Sequence, residues 1–198
     1  MIELPPNKNQ AEQENKRKAF NDLFEQVLQT KGEQVPTIEY NLSYPKEDFL
    51  KFLVAEKNVL LHGSSTKNME TLKPRQANDK AKASGNKNAV YGVIDPVLPI
   101  FYAIKDRRKL NGVIESGFTE NLETGEREYK FRIPHNILET KPWIRGMVYI
   151  FDKNQFHQEQ DDSGGLSSEW TLEASVKPLA KLEVGPEDFR FLDKVEGN

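Results

Sequence analysis

Three short motifs in this chain combine residue types that can do chemistry. His62-Gly63-Ser64 ends an apolar run, Tyr91 lies in a second apolar run, and Glu169-Trp170 comes near the end of the chain. Glycine lets a ligand approach the backbone, a tyrosine ring stacks on planar groups, and a carboxylate stabilises developing positive charge. Taken singly, a turn histidine, a core tyrosine and a surface glutamate are the commoner cases. The motifs therefore indicate a site only in combination.

Local patterns assign an element to each motif. Residues 58–63 predict an apolar strand that glycine stops, and residues 89–93 predict a second strand around Tyr91. A helix is predicted for 97–104, and it carries Tyr102. Glu169 leads into a strand predicted for 172–176, after a polar loop over 152–168.

The remaining elements predict an α+β fold. Helices come early: 10–30 has an apolar stripe at helical spacing, a second helix spans 45–56, and 64–72 can form a third after its Ser/Thr cap. Strands dominate the later half, with a hairpin turning at Thr124-Gly125 and further strands over 145–151 and 181–184. This order favours α+β over a regularly alternating α/β sheet. We expect residues 1–32 to form a tail and accessory helix, and residues 33–198 to form the domain.

Composition excludes several function classes. The 198 residues contain no cysteine, which removes disulfides, zinc fingers and cysteine nucleophiles. The net charge of −3 is too balanced for a generic duplex nucleic-acid binder. His157 lies near Asp161 and Asp162, but loop carboxylates of this kind are more often solvated, so we predict no metal. The N-terminus lacks a signal-peptide pattern and no apolar run is long enough for a bilayer, so we expect a cytoplasmic protein with no membrane partner.

The order of the motifs resembles the H-Y-E branch of the ADP-ribosyltransferase fold, which includes poly(ADP-ribose) polymerases and diphtheria-like toxins. In that family a strand ends in His-Gly-Ser or His-Gly-Thr, a later strand carries Tyr, a helix carries a second aromatic, and a late strand carries the glutamate. Here His62-Gly63-Ser64, Tyr91, Tyr102 and Glu169 stand in that order. The resemblance covers about residues 46–190 and is closest to small bacterial members. It implies split antiparallel sheets with flanking helices.

The resemblance also implies a substrate, NAD, whose nicotinamide–ribose bond is cleaved without a metal. It implies that Tyr91 and Tyr102 form a slot for the nicotinamide ring, since stacking holds a planar ring. It further implies that the backbone N–H and C=O of Gly63 bind the carboxamide, because glycine permits so close an approach.

The remaining family roles fall on residues that would contact ribose. The resemblance implies that His62 and Ser64 hold ribose hydroxyls. It implies that Glu169 binds a hydroxyl of the nicotinamide-side ribose and stabilises the oxocarbenium charge, an electrostatic role. An NAD-dependent ADP-ribosyltransferase or NAD glycohydrolase is the first functional hypothesis.

Two departures keep other functions open. The polymerases have a serine that helps hold the amide where this chain has Pro99, which offers neither a hydroxyl nor an N–H. Glu173 competes with Glu169, because residues four apart on a strand face the same side. A catalytically inactive nucleotide- or protein-binding module on the same fold is therefore the main alternative. An RNA 2′-phosphotransferase would need more basic residues near His62 than Lys73 and Arg75.

The sequence leaves more than one class of acceptor and partner possible. The basic stretch 80–87 can approach a nucleic acid or an acidic protein, although solvation is the commoner role of exposed lysines. In the family the region before the glutamate helps to choose the acceptor, so Gly164-Gly165 marks a candidate target loop. A fourth hypothesis is an interaction protein that uses the apolar stripe of the first helix. The sequence does not indicate an oligomeric state.

Overall fold

The computed structural model describes residues 8–30, 32–76, 87–121, 123–160 and 165–198. Within these ranges the chain has an α+β fold with antiparallel sheets. The helices are α1 (Lys8–Leu28), α2 (Lys46–Glu56), α3 (Leu98–Ile104) and α4 (His135–Leu138). The strands are β1 (Val59–Ser64), β2 (Arg75–Gln76), β3 (Asn88–Val93), β4 (Glu115–Glu120), β5 (Arg127–Ile133), β6 (Gly146–Asp152), β7 (His157–Gln160), β8 (Leu166–Leu172), β9 (Ala180–Val184) and β10 (Glu196–Gly197).

Two sheets organise these strands. The larger has the order β7-β8-β3-β1-β6-β9, with β2 added on β3, and its strand pairs are antiparallel. The smaller has the order β10-β5-β4, in which β10 runs parallel to β5. The β4–β5 pair confirms the predicted hairpin, and Gly125 has the positive φ of 69° that its turn requires. Short 3₁₀ turns occupy Lys153–Gln155, Pro186–Asp188 and Leu192–Lys194.

Hydrophobic side chains are buried on both faces of the larger sheet. Strand β1 shows this directly: Val59 and Leu61 belong to one apolar cluster, and Leu60 belongs to a second on the opposite face. The first cluster includes buried residues of α1, α2 and α3. Burial on both sides explains why β1 reads as a continuous apolar run rather than as an alternating one.

Helix α1 packs through its apolar stripe against α2 and the loop before it. The ring of Phe20 lies 5.4 Å from that of Phe49 and 5.6 Å from that of Tyr44, measured between centroids. Lys16 forms an ion pair with Asp48 at 2.6 Å next to this contact. Across the described part of the chain, no helix combines the length and apolar character needed to cross a membrane.

Asp95 fixes α3 relative to the smaller sheet. Its carboxylate is fully buried, and Oδ1 accepts hydrogen bonds from the backbone N–H groups of Val97 (2.9 Å) and Leu98 (2.7 Å) at the start of α3. Its Oδ2 accepts from the Arg127 guanidinium (2.9 Å) and the Tyr129 hydroxyl (2.6 Å), both on β5. Because a buried carboxylate is costly unless fully paired, these four bonds hold α3 and β5 in one arrangement.

Two expectations from the sequence are wrong. Residues 64–72 form no helix, because the buried hydroxyl of Tyr149 donates to the carbonyl of Thr66 (2.7 Å) and accepts from the N–H of Met69 (3.2 Å). These bonds take backbone groups that a helix would use. The polar segment 152–168 also is not one loop: β7 lies inside it, and β8 begins at Leu166 rather than at residue 172. The candidate hinge Gly164 lies outside the described residues.

At Gly63, β1 packs directly against the backbone of α3. A Cβ added at Gly63 would lie 1.9 Å from the carbonyl oxygen of Pro99, far inside contact distance. Glycine is therefore required here by helix packing, a reason that the sequence did not reveal.

We predict that Gly63→Ala destabilises the protein by about 3 kcal/mol or more, because the methyl group meets backbone rather than a flexible side chain. Urea denaturation measures the change. Gly117→Ala is the matched control, since an added Cβ there has no neighbour within 4 Å, and its effect should stay within about 1 kcal/mol. Equal stability of the two variants would show that Gly63 is not packed against Pro99 as closely as described.

Candidate functional site

The candidate site lies where strands β1 and β3 stop pairing with each other. Strand β1 pairs with β6 along its whole length, whereas within the described strands its pairing with β3 is at a single position, Leu61 with Val93. Beyond that pair, the Nδ1 atom of His62 lies 2.8 Å from the backbone oxygen of Tyr91. A side chain thus bridges the strands in place of a backbone ladder, and a gap opens beside it.

The peptide groups of Gly63 point into that gap. The carbonyl of Asn58 accepts a hydrogen bond from the N–H of Lys153, so Asn58 directs its carbonyl toward β6. Peptide groups alternate in direction along a strand, so those of residues 59, 61 and 63 face β3 instead. Gly63 therefore presents one N–H donor and one C=O acceptor on the side where β1 and β3 separate.

A cleft of about 300 Å³ occupies this gap, and we call it the aromatic cleft. It brings together five of the predicted site residues and adds hydrophobic walls and one arginine. Its lining consists of Leu61, His62, Gly63, Tyr91, Val93, Leu98, Pro99, Tyr102, Arg107 and Glu169. Residues from three strands and one helix, more than 100 positions apart in sequence, thus share one concave surface.

His62 is neutral at pH 7. Burial, followed by the charges of Arg107 and Arg75, lowers its pKa to about 4, although the hydrogen bond to Tyr91 opposes the shift. A backbone carbonyl only accepts hydrogen bonds, so Nδ1 must carry the proton in this bond. The other ring nitrogen, Nε2, is then an acceptor suited to a hydroxyl group.

The ring of Tyr91 is held at its hydroxyl end. The hydroxyl accepts from the N–H of Lys87 (3.1 Å) and donates to the carbonyl of the same residue (3.2 Å). The Lys87 ammonium is in turn bound to both oxygens of Glu159 at 2.7 Å, a buried carboxylate that also accepts from Thr171. Burial, and then the charges of Glu169 and Glu159, raise the pKa of Tyr91, so its phenol stays neutral.

Tyr102, on α3, is the second tyrosine that lines the aromatic cleft. Its hydroxyl is hydrogen-bonded to Ser116 on β4 at 2.7 Å, and the Lys105 ammonium lies 4.0 Å from its ring centroid. Lys105 is buried, and burial followed by the charge of Arg107 lowers its pKa to about 7. Sequence reasoning missed Lys105 and Arg107 because their charged run, 105–109, reads as the solvated end of a helix.

The structure places the two candidate glutamates, Glu169 and Glu173, in different surroundings. Glu169 lies in the middle of β8, in register with Val93, and its N–H donates to the hydroxyl of Ser167 at 3.1 Å. Glu173 follows the end of β8, is exposed, and is not among the residues that line the cleft. The expectation that both side chains lie on one strand is therefore wrong.

A second cleft of about 590 Å³ adjoins the first, and we call it the basic cleft. It shares His62, Tyr91 and Arg107 with the aromatic cleft and adds Lys73 and Arg75. Ser64 lines this second cleft, where its buried hydroxyl accepts from the N–H of Thr66 at 3.2 Å. Ser64 thus lies next to the predicted site but outside the aromatic cleft itself.

The interpretation of this site rests on its geometry, because comparisons with known proteins find no match. No protein-family model matches the chain, and no curated protein or solved structure matches it either. In the described ranges, no group of three or more histidine and carboxylate side chains is arranged to hold a metal ion. Asp161 and Asp162 lie outside those ranges.

The depressed pKa of His62 predicts how stability depends on pH. In the unfolded chain the His62 imidazole has an ordinary pKa of about 6.5. Between pH 6.5 and 4 it is therefore protonated in the unfolded state but neutral in the folded state. The contribution of His62 to the free energy of unfolding is therefore fully present above pH 6.5 and is lost as the pH falls toward 4. Urea denaturation at several pH values measures it, and NMR titration of the imidazole should show a pKa of about 4.

The His62→Gln variant should lose this part of the pH dependence. The matched control is His157→Gln, because His157 is exposed and should leave the profile unchanged. A His62 imidazole that titrates near pH 6.5 in the folded protein would show that the ring is not held as described.

Proposed function

We propose that this chain cleaves the bond between nicotinamide and ribose in NAD, as an ADP-ribosyltransferase or NAD glycohydrolase. The proposal includes the finer fold assignment, a split antiparallel sheet of the H-Y-E ADP-ribosyltransferase kind. The observation that carries it is the direction of the Gly63 peptide groups into a cleft that is walled by Tyr91 and Tyr102 and contains Glu169. NAD is the substrate, and the mechanism uses no metal.

The chemistry of the aromatic cleft supports nicotinamide as its ligand. Tyrosine side chains such as Tyr91 and Tyr102, which line the cleft, gain from stacking on a planar ring. Its carboxamide has one acceptor oxygen and one donor NH₂ group, the complement of the N–H and C=O that Gly63 presents. Pro99 lines the cleft without a donor, so amide recognition in this proposal rests on Gly63.

The ribose would lie between His62 and Glu169. Neutral His62 offers Nε2 as an acceptor for a ribose hydroxyl, while the Glu169 carboxylate binds a hydroxyl near the reacting carbon. As the C1′–N bond breaks, its electron pair moves to the pyridinium nitrogen and positive charge develops at C1′. The Glu169 carboxylate stabilises that charge electrostatically. Nicotinamide leaves as a neutral molecule, the oxygen of water or of an acceptor hydroxyl bonds to C1′, and its proton passes to solvent.

One specific observation supports a second candidate, a nucleotide- or protein-binding module without catalysis. Pro99 replaces the serine of the polymerases at the wall of the cleft, so one amide contact of that family has no counterpart. The acceptor of the first candidate, a protein or a nucleic acid, stays open. A cytoplasmic location, where NAD is present, is part of the proposal.

We predict that Glu169→Gln lowers nicotinamide release from NAD by about 100-fold or more, because the amide cannot supply the negative charge. Chromatography of free nicotinamide measures the rate. Glu173→Gln is the matched control, an exposed glutamate four residues away that should leave the rate within about threefold.

The same assay separates the two candidates. Calorimetric binding of NAD by the unaltered chain with no nicotinamide release would favour the binding module. Release at the normal rate from the Glu169→Gln variant would show that the mechanism is wrong.

A further inference from the structure

The basic cleft contains the two arginines that form no ion pair with a carboxylate among the described residues. The chain has eight arginines, all among the described residues, and six of them form ion pairs with carboxylates: Arg17, Arg108, Arg127, Arg132, Arg145 and Arg190. The other two, Arg75 and Arg107, both line the basic cleft, as does Lys73. In a chain of net charge −3, these three residues give the cleft a local excess of positive charge.

Among the residues that the structure describes, the lining of the basic cleft contains no carboxylate. Besides the cations it has the neutral polar side chains Ser64, Thr71 and Gln76 and a set of apolar residues. Arg107 and Arg75 line this cleft together with His62, and the charges of both lower the pKa of His62. Concave surfaces lined by one sign of charge concentrate the field and attract counter-ions, so this cleft favours anionic ligands.

The cations are spread along the cleft rather than gathered at one point. Arg107 lines both clefts and so lies at their junction. Arg75 is in register with Ala89, two residues before Tyr91 on β3, which corresponds to about 7 Å along the strand. Arg107 thus lines the part that the two clefts share, whereas Arg75 and Lys73 line the basic cleft alone.

We propose, on the basis of the NAD-cleaving function above, that the basic cleft also recognises an additional phosphate on the adenosine ribose of the dinucleotide, so that NADP binds more tightly than NAD. The diphosphate of either dinucleotide would bind at Arg107, at the junction. Lys73 and Arg75 would then bind the phosphomonoester, which carries up to two further negative charges. Arginine suits this role because its planar donors match phosphate oxygens in a bidentate manner.

Calorimetry with fragments of the dinucleotide tests this site without any turnover. Adenosine 2′,5′-bisphosphate should bind the unaltered protein at least about tenfold more tightly than AMP, and the difference should shrink at high salt because the contacts are ionic. Arg75→Ala should reduce the difference to less than about threefold. The matched control is Lys109→Ala, an exposed lysine near Arg107 that does not line the cleft, and it should leave the difference intact.

The outcomes separate this inference from the proposed function. Equal affinity for the bisphosphate and AMP would overturn the inference, whether or not NAD is cleaved. Tight bisphosphate binding that depends on Arg75, without nicotinamide release from either dinucleotide, would support the phosphate site and reject the catalytic proposal. Preferential binding of an RNA with an internal 2′-phosphate, followed by loss of that phosphate to NAD, would overturn the inference in favour of an RNA 2′-phosphotransferase.

Discussion

The hydrogen bond from His62 to the backbone oxygen of Tyr91 is the constraint on which the site depends. It joins β1 and β3 where their backbones no longer pair, so the strands stay close without closing the gap between them. It also fixes the tautomer of the imidazole and ties the two motifs to each other. Loss of this bond would let the strands separate or re-pair, and either change would remove the aromatic cleft.

Several contacts outside the cleft keep its walls in place. Asp95 holds the start of α3 against β5, and the packing of α3 on Gly63 sets the distance between the helix and β1. On the other side, the ion pair of Lys87 with Glu159 anchors the backbone that binds the Tyr91 hydroxyl. Each wall is therefore held by its own set of contacts, an arrangement that favours a preformed binding site over one that forms around its ligand.

The sequence predicted the local features well and the long-range ones poorly. The strand before His62-Gly63-Ser64, the strand of Tyr91 and the α3 helix follow from apolar runs with clear ends, and each is found within about one residue of its predicted bounds. The helix expected over 64–72 failed because Tyr149, about 80 residues away, takes its backbone groups. The contribution of Arg107 depends on how the chain leaves α3, and no local pattern reveals it.

The proposed function depends most directly on Gly63, which we propose binds the amide of nicotinamide between Tyr91 and Tyr102. A crystal structure of the protein soaked with nicotinamide tests this claim most directly. We predict that the ring lies between the two tyrosines, with its amide oxygen and nitrogen within about 3 Å of the Gly63 N–H and C=O respectively. An aromatic cleft that stays empty at saturating nicotinamide, or a ring whose amide points away from Gly63, would contradict the account.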